Sequence, residues 1–211
     1  MSAAPDGSPV ELYGRLPELG EGALVAAAVP AGGSILELGC GTGRITRQLL
    51  ERGFGVVAVD QSPEMLAQVD PRAERVRADI ELLELGRRFD AALLASNLVN
   101  TESPELRRAF LACARRHAET VVIERLPPDW EPRAEPSRLG ELETWLEEVE
   151  VDGDVVRATV VYEADDARWT HAFAMRRLDD DALAAALAEA GLALDRFLDE
   201  RRAWVVATPA R

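Results

Sequence analysis

The sequence ILELGCGTGRIT, residues 35–46, is the stretch that decides the fold of this chain. An apolar run from Ser34 to Leu38 is typical of a buried strand, and the run from Arg44 to Arg52 has the apolar spacing of a helix. Three alternating glycines lie between the two runs. Glycine has no Cβ, and the first N–H groups of a helix have no partner within it. The stretch therefore predicts a turn where the backbone can approach a ligand, and hence a cofactor site.

The glycine spacing distinguishes between classes of cofactor. A dinucleotide-binding turn has the pattern G-x-G-x-x-G, with an acidic residue about 20 positions further on. In this chain the third glycine, Gly43, comes one position early, and Arg44 occupies the place that the pattern reserves for glycine. The bulk of an arginine there would obstruct the close packing of helix on strand. The spacing therefore disfavours a nicotinamide dinucleotide.

The pattern Glu37-x-Gly39-x-Gly41-x-Gly43 resembles the first motif of the class I S-adenosylmethionine (SAM) dependent methyltransferases. The resemblance implies that Glu37 helps to organise the methionine end of SAM, and that the glycine turn runs beneath the sulfonium and the ribose. Because SAM carries no phosphate, this interpretation does not require an anion site at the helix N-terminus.

The next apolar run, residues 54–59, ends in Asp60 and predicts a second strand that is buried on both faces. An acidic residue at the carboxyl end of this strand can accept both hydroxyls of a ribose, and Gln61 could assist. The run from Val59 to Leu66 resembles the second motif of the same family. Met65 either lies against the adenine of SAM or packs in the core, as methionine often does.

A short third strand is predicted at residues 75–78, with Asp79 and Ile80 at its end. The family resemblance implies that Asp79 receives the exocyclic amine of the adenine, and that the backbone N–H of Ile80 meets a ring nitrogen. Alternatively, Asp79 only caps the short helical stretch of residues 81–85.

A fourth strand is predicted at residues 89–95, and Ser96, Asn97 and Asn100 follow it. Ligands of open α/β sheets lie outside the carboxyl ends of the strands, at the point where the winding reverses. In the family interpretation Ser96 and Asn97 are therefore near the methyl group, and Asn100 is near the substrate. The same polar side chains could instead only satisfy the backbone of the loop.

The fifth predicted strand, residues 121–123, leads directly into Glu124 and Arg125, one of which is expected to face the methyl acceptor. Glu124 is a candidate to take or orient a proton of the acceptor, since partial burial would raise the pKa of its carboxyl group. An ion pair with an arginine of the following segment is the structural alternative. Near the N-terminus, Tyr13 either folds over the cofactor as a lid or anchors its segment by packing.

Residues 126–177 are predicted to form an insertion over the substrate side. Residues 126–140 contain four prolines and indicate a linker or flap. Three alternating segments with a turn at Asp152-Gly153 then predict an antiparallel meander. His171 shares its face with three apolar residues, so it is either a packing histidine or a substrate residue. In the family a similar insertion covers the substrate pocket or forms a dimer surface, so the resemblance also allows a homodimer through the meander.

The chain ends with a predicted helix that opens at Asp179 and stops at Gly191, followed by two closing strands. This order resembles the C-terminus of the same family, whose last strand is antiparallel. The predicted fold is a single α/β domain over residues 1–211. It has a Rossmann-like, seven-stranded, mostly parallel sheet with helices on both faces and an inserted antiparallel β-meander. Residues 1–9, rich in Ala, Pro, Gly and Ser, are predicted to be flexible.

Composition limits the partners of the chain. A formal net charge of −14 and a pI near 4.6 would repel a phosphate backbone, so no nucleic-acid partner is expected. Cys40 and Cys113 are expected to be small core residues, and no cluster of metal ligands is evident. The N-terminus has no signal-peptide pattern and no apolar run approaches about 18 residues. No membrane partner is therefore expected, and the predicted location is cytoplasmic.

The predicted function is transfer of a methyl group from SAM to a small-molecule acceptor by in-line displacement, with release of S-adenosylhomocysteine (SAH). Holding the acceptor and the methyl group in line can supply a large part of the rate enhancement. Two other functions stay open. One is a protein that senses SAM without transferring its methyl group, and the other is a nicotinamide-dependent oxidoreductase, which would share Asp60.

Overall fold

The computed structural model describes residues 4, 7–164 and 167–210, which form a seven-stranded and a four-stranded sheet. The strands of the large sheet are β1 (Ser34–Leu38), β2 (Gly55–Asp60), β3 (Glu74–Arg77), β4 (Phe89–Leu94), β5 (Ala118–Glu124), β10 (Leu192–Phe197) and β11 (Trp204–Pro209). Those of the small sheet are β6 (Ser137–Leu139), β7 (Leu142–Asp152), β8 (Val155–Ala164) and β9 (Ala167–Arg176).

The helices pack mainly around the large sheet. They are α1 (Val10–Arg15), α2 (Glu21–Ala26), α3 (Arg44–Glu51), α4 (Pro63–Leu66), α5 (Pro104–His117) and α6 (Asp180–Glu189). Short 3-10 turns at Ile80–Leu82 and Leu98–Asn100 follow the ends of β3 and β4.

The large sheet has the strand order β10-β11-β5-β4-β1-β2-β3. The neighbouring pairs from β5 to β3 are parallel, whereas β11 is antiparallel to both β5 and β10. This confirms the predicted seven-stranded, mostly parallel sheet with an antiparallel last strand. The winding reverses between β1 and β4, so their carboxyl ends mark the place where open α/β sheets bind ligands.

Apolar side chains cover both faces of the large sheet, because alternate residues of a strand point to opposite sides. Leu36 and Leu38 of β1 belong to a core cluster that also contains side chains of α5 and α6. Ile35, which precedes Leu36, points to the other face and lies in a second cluster with Val25 of α2 and Leu49 of α3. The central strand is therefore buried on both sides, as its apolar sequence predicts.

Two helix starts follow the capping signals in the sequence. The Ser62 hydroxyl accepts a hydrogen bond from the Met65 N–H at 3.2 Å, and Pro63 occupies the first helical position of α4. The Asp179 carboxylate accepts a hydrogen bond from the Ala182 N–H at 2.8 Å at the start of α6. The predicted starts of both helices are confirmed.

The insertion differs from the prediction in two ways. It has four strands rather than three, because the stretch predicted as a linker contains β6, which pairs with β7. The register of β7 on β8 also shifts between Glu147 and Glu150, where Glu148 has a φ of 53°. This irregularity adds a residue to β7, so Trp145 and Val151 lie on opposite faces of the small sheet. The predicted unbroken alternation through β7 is therefore wrong.

The described part of the N-terminal stretch contains buried residues. Ala4 and Ser8 are buried, and Ala4 packs against Val10 and Met65. The flexibility expected for residues 1–9 stays a prediction. Residues 1–3, 5 and 6 of that stretch lie outside the described part of the chain.

Three simple expectations can be compared with the described residues. Cys40 and Cys113 are free and buried, as predicted for small core residues. Among residues 4, 7–164 and 167–210, no helix is long and apolar enough to cross a bilayer. The same residues contain no group of three or more His, Cys, Asp or Glu side chains that could hold a metal ion.

Candidate functional site

A cavity of about 480 Å³ lies at the carboxyl edge of the large sheet, over the ends of β1 to β4. One half is formed by the glycine turn and the strand ends, and the other by the N-terminal segment, the start of α5 and β9. Ten of the eleven residues predicted to bind the cofactor line it. They are Glu37, Gly39, Gly41, Asp60, Gln61, Met65, Asp79, Ile80, Ser96 and Asn97.

The glycine turn lets the backbone form the floor of this cavity. The Gly39 N–H bonds to the carbonyl oxygen of Val59 at 2.9 Å, which ties the turn to the end of β2. Gly39 has a φ of +72°, and a Cβ there would lie 2.7 Å from a side-chain carbon of Leu98. Gly43, the predicted residue that does not line the cavity, has a φ of +83° and packs beside Val69. It therefore serves the site through packing at the start of α3.

Glu37 is a buried carboxylic acid at the end of β1, with 2% of its surface exposed. The Thr46 hydroxyl donates a hydrogen bond to its Oε2 at 2.5 Å. Burial raises the pKa of Glu37 to about 7, although the Thr46 hydrogen bond and the positive charge of Arg44 oppose the shift. Its other oxygen has no hydrogen-bond donor among the described residues. A cationic ligand in the cavity would supply one and would favour the ionised carboxylate.

Asp60 and Asp79 extend this acidic wall. The Asp60 carboxylate accepts the N–H of Gly41 at 2.8 Å on one oxygen and that of Ser62 at 2.9 Å on the other. Each oxygen can accept a second hydrogen bond, so Asp60 shapes the turn and still has capacity for a ligand. The Asp79 side chain is exposed at the cavity and makes no capping bond to the following turn. The structure therefore does not support a purely capping role for Asp79.

The three carboxylates match three hydrogen-bond donors of SAM. Glu37 lies near the end of β1, Asp60 is the last residue of β2, and Asp79 comes two residues after β3; all three line one cavity. SAM carries, in order along the molecule, an ammonium group, a ribose diol and an adenine amine. The residues present fit this ligand: Glu37 would hold the ammonium group, Asp60 the ribose hydroxyls, and Asp79 with Ile80 the adenine.

Replacing Asp60 tests this assignment. We expect Asp60→Ala to weaken SAM binding by about 1.5–3 kcal/mol, because the ribose hydroxyls lose a charged acceptor. Stability should fall as well, because the N–H groups of Gly41 and Ser62 lose their acceptor. Asp60→Asn keeps one acceptor oxygen. Its SAM affinity and its stability should both lie between those of Asp60→Ala and those of the unaltered protein. Titration calorimetry that shows unchanged SAM affinity for Asp60→Ala would remove Asp60 from the site.

The loop after β4 is held in an unusual backbone conformation at the edge of the cavity. Ser96 and Asn97 have φ values of 55° and 57°, which non-glycine residues rarely adopt. The Glu124 carboxylate accepts the Ser96 N–H at 2.6 Å, and burial raises the pKa of Glu124. Glu124 does not line the cavity, and it has no salt bridge among the described residues. The structure therefore favours a third role for Glu124, neither base nor ion pair, in which it fixes this loop.

A pair of substitutions distinguishes this role from base catalysis. Glu124→Gln keeps an oxygen that can accept the Ser96 N–H, so turnover should stay within a few-fold of the unaltered protein. Glu124→Ala leaves that N–H unpaired, which costs about 1–3 kcal/mol and should lower kcat/KM by about 10- to 100-fold. SAH release is the measurement. A loss of about 10²-fold in Glu124→Gln would restore the base role.

Asn100 and Arg125 do not face the substrate side, which corrects two predictions. Asn100 is fully buried, donates to the Arg176 carbonyl at 2.8 Å and accepts the Leu126 N–H at 2.9 Å. It thereby joins the entry and exit of the insertion. Arg125, 1% exposed, donates to the carbonyl of Leu178 at 3.0 Å. Neither side chain lines the cavity, because both are used to hold the insertion on the large sheet.

The N-terminal segment covers one side of the cavity. Tyr13 lines the cavity, and it also packs in the clusters around Met65 and Trp169, so its lid and anchor interpretations are compatible. The Thr42 hydroxyl donates to the Tyr13 carbonyl at 3.0 Å, which fastens this segment to the glycine turn. Met65 likewise is almost completely buried and lines the cavity.

The opposite wall was only partly predicted. His171 on β9 does line the cavity, together with Phe173 and Met175 from the same strand. Sequence reasoning missed Thr101 and Phe110 as cavity residues. An isolated β-bridge between Thr101 and Met175 brings β9 against the loop after β4. The alternating apolar face of β9 was visible in the sequence, but this long-range pairing was not.

Comparison with known proteins supports the same assignment. Residues 35–119 match a family model described as "Methyltransferase domain". The curated protein "Putative methyltransferase YqeM" of Bacillus subtilis (strain 168) is 32% identical over 83 residues, which cover 36% of this chain and 34% of that protein. This chain thus covers about a third of that curated relative.

Two solved structures resemble this chain over nearly its whole length. The CcbJ methyltransferase from Streptomyces caelestis has a TM-score of 0.78 at 20% identity, covering 96% of both chains. CalS10 from Micromonospora echinaspora, described as a SAM-bound amino pentose methyltransferase of calicheamicin biosynthesis, has a TM-score of 0.73 at 23% identity, covering 95% of both chains. At these identities the likeness establishes the fold.

Proposed function

We propose, from the premise that this chain belongs to the class I SAM-dependent methyltransferase family, that it transfers a methyl group from SAM to a small-molecule acceptor. The matched methyltransferase domain and the SAM-dependent methyltransferases among the similar structures support the family and the cofactor. The site supports the reaction, because the cavity that holds the predicted cofactor residues is also lined by residues of the N-terminal segment, α5 and β9, where an acceptor would bind.

One observation carries this proposal. Glu37, Asp60 and Asp79 lie at three neighbouring strand ends around a glycine turn, in one cavity. Each strand end supplies one carboxylate, and the spacing of the strands spreads the three along an elongated ligand with several donors. A dinucleotide site would instead need a glycine at the position of Arg44. The Arg44 side chain here donates to the Pro17 carbonyl at 3.3 Å and pairs with Glu21.

The residues of the chain mainly bind and orient the two reactants. SAM, when bound, supplies a methyl group already activated by the positive sulfonium, and SAH is the product. The glycine turn allows close approach of the backbone, and Glu124 holds the Ser96–Asn97 loop between the cofactor half and the acceptor half. Tyr13 and residues of β9 form part of the cavity wall. Positioning of this kind can supply a large part of the rate.

The acceptor is proposed to be a small molecule because of the cover over the site. The cavity is bounded by the N-terminal segment on one side and by β9 on the other, so it is partly covered. CalS10, one of the similar structures, is described as a methyltransferase of an amino pentose. A homodimer through the small sheet and a cytoplasmic location stay predictions.

Release of SAH tests the proposed function. The unaltered protein is incubated with SAM and a panel of small amines, alcohols, phenols and thiols, and SAH is quantified against protein-free controls. We expect acceptor-dependent release of SAH. Binding of SAM without release for any acceptor would favour the alternative of a SAM sensor. Binding of a nicotinamide dinucleotide in preference to SAM would favour an oxidoreductase.

A further inference from the structure

The half of the cavity beyond the strand ends has a mostly apolar lining. It includes Leu106 and Phe110 of α5 together with Phe173 and Met175 of β9. Burial of an apolar ligand surface against such side chains contributes about 25 cal/mol per Å². This wall therefore suits an acceptor whose body is largely apolar.

Charge in the cavity further limits the acceptor. Arg44 is the cationic side chain among the described lining residues, and it is already paired with Glu21. The acidic lining residues include Glu37, Asp60 and Asp79. A phosphate group is usually bound by arginine, lysine or helix N-termini. In this cavity a phosphorylated acceptor would meet carboxylates and no available cation.

In this mostly apolar half of the cavity, His171 has a ring nitrogen without a hydrogen-bond partner among the described residues. Its Nδ1 is buried and has no hydrogen-bond partner among the described residues, and a Cβ placed on Gly7 would lie 3.9 Å from it. A buried polar atom without a partner costs about 1–3 kcal/mol, so such atoms in native proteins call for an explanation. Because Nδ1 is buried, Nε2 is the ring nitrogen left for a ligand in the cavity that His171 lines.

The other histidine of the chain shows the contrast. His117 Nε2 accepts the Leu85 N–H at 3.2 Å, and its Nδ1 lies 2.9 Å from the Cys113 carbonyl oxygen. Both of its nitrogens are thus used by the fold. With two histidines in the sequence, His171 is the one whose ring faces a ligand site.

We propose that Nε2 of His171 binds the nucleophilic amine or hydroxyl of the acceptor, and that the acceptor is an unphosphorylated molecule with a largely apolar body. This inference rests on the proposed methyl transfer. As the acceptor nitrogen or oxygen forms its bond to the methyl carbon, the sulfur–methyl bond breaks and its electron pair stays on sulfur. The acceptor loses one proton, which passes to Nε2 of His171 and then to water at the cavity mouth.

The class of acceptor is tested with matched pairs: tyramine against tyramine O-phosphate, and glucosamine against glucosamine 6-phosphate. We expect tyramine to give the most SAH. Each phosphorylated compound should give at least about tenfold less than its partner, because its phosphate charge would be placed in the site without a compensating cation. Equal or faster reaction of the phosphorylated compounds would overturn the proposed class. So would faster reaction of glucosamine than of tyramine.

The role of His171 is tested by His171→Phe and His171→Gln. We expect kcat/KM to fall by about 10²-fold in His171→Phe, with SAM affinity unchanged. His171→Gln should recover part of the acceptor KM but not kcat, since it can bind but cannot take a proton. Unchanged kcat/KM in His171→Phe would overturn the role.

A readout independent of turnover separates this inference from the proposed function. The imidazole C–H signals of the two histidines are followed by NMR in the SAH-bound protein, and the signal that His171→Gln removes is assigned to His171. Addition of tyramine should shift that signal and leave that of His117 in place. Absence of a shift at saturating tyramine would overturn acceptor binding by His171, even if methyl transfer occurs. A shift without SAH release would support the binding role while contradicting the proposed function.

Discussion

Glu37→Gln should abolish most SAM binding and at the same time stabilise the protein at alkaline pH. The substitution removes the negative charge that faces the ammonium group of SAM, and the loss of a charged hydrogen bond costs about 1.5–3 kcal/mol. The amide oxygen of glutamine can still accept the hydrogen bond from Thr46. The two effects have opposite signs because the buried charge destabilises the free protein but attracts the ammonium group of bound SAM.

The gain in stability follows from the pKa of the unaltered side chain. Burial raises the pKa of Glu37 from 4.5 to about 7, so the folded protein holds this proton more tightly than the unfolded chain. The free energy of unfolding therefore falls as pH rises from about 4.5 and levels off above about 7. At pH 8 the cost of burying the ionised Glu37 carboxylate, about 3 kcal/mol, fully lowers the stability of the unaltered protein. Glu37→Gln does not carry this cost.

Denaturant unfolding at pH 6 and pH 8, with SAM titrations at pH 8, measures both effects. The difference in stability between Glu37→Gln and the unaltered protein should be larger at pH 8. Glu119→Gln, at a surface side chain that is 81% exposed, serves as the control and should change neither quantity. Loss of stability at pH 8 together with intact SAM affinity would contradict the role assigned to Glu37.

Arg125→Ala should lower the free energy of unfolding by about 3–5 kcal/mol, the range for removing one partner of a buried ion pair. The guanidinium group bonds to the carbonyls of Arg202 at 2.9 Å and Leu178 at 3.0 Å, and it pairs with Asp180. These contacts fix the place where the chain returns from the insertion to α6. Arg125→Lys keeps the charge but not the planar fork, so it should recover only part of the stability.

Unfolding of Arg125→Ala is compared with that of Arg201→Ala, at an exposed arginine near the same turn. We expect a large loss in the first variant and little change in the second. In the folded fraction of Arg125→Ala, SAM affinity should be retained. If stability were unchanged and the KM for an acceptor rose strongly, the substrate role predicted from the sequence would be correct after all.

Local patterns explain why much of the cofactor half could be predicted. An acidic residue lies at or near the end of three successive predicted strands: Glu37 precedes the glycine turn, Asp60 ends an apolar run, and Asp79 follows a short strand. Parallel strands bring their carboxyl ends to one edge, so residues that follow successive strands converge without any knowledge of side-chain contacts. The glycine turn then sets where backbone can approach the ligand.

The errors occur where distant parts of the chain meet. Asn100 is held by groups 26 and 76 residues away, and Arg125 by groups 53, 55 and 77 residues away. No local pattern records such partners, so polar side chains next to a site were interpreted as part of it. The irregularity at Glu148 was hidden for a similar reason, because the sequence shows alternation but not the register of the partner strand.

Binding of SAM to the unaltered protein tests the central claim most directly. Titration calorimetry at pH 8 should show one SAM bound per chain with a dissociation constant below about 100 μM, within the usual range for enzyme substrates. NAD⁺ under the same conditions should give no binding heat. Absence of SAM binding, or binding of NAD⁺ at least as tight as that of SAM, would contradict the assignment of Glu37, Asp60 and Asp79 to a SAM site.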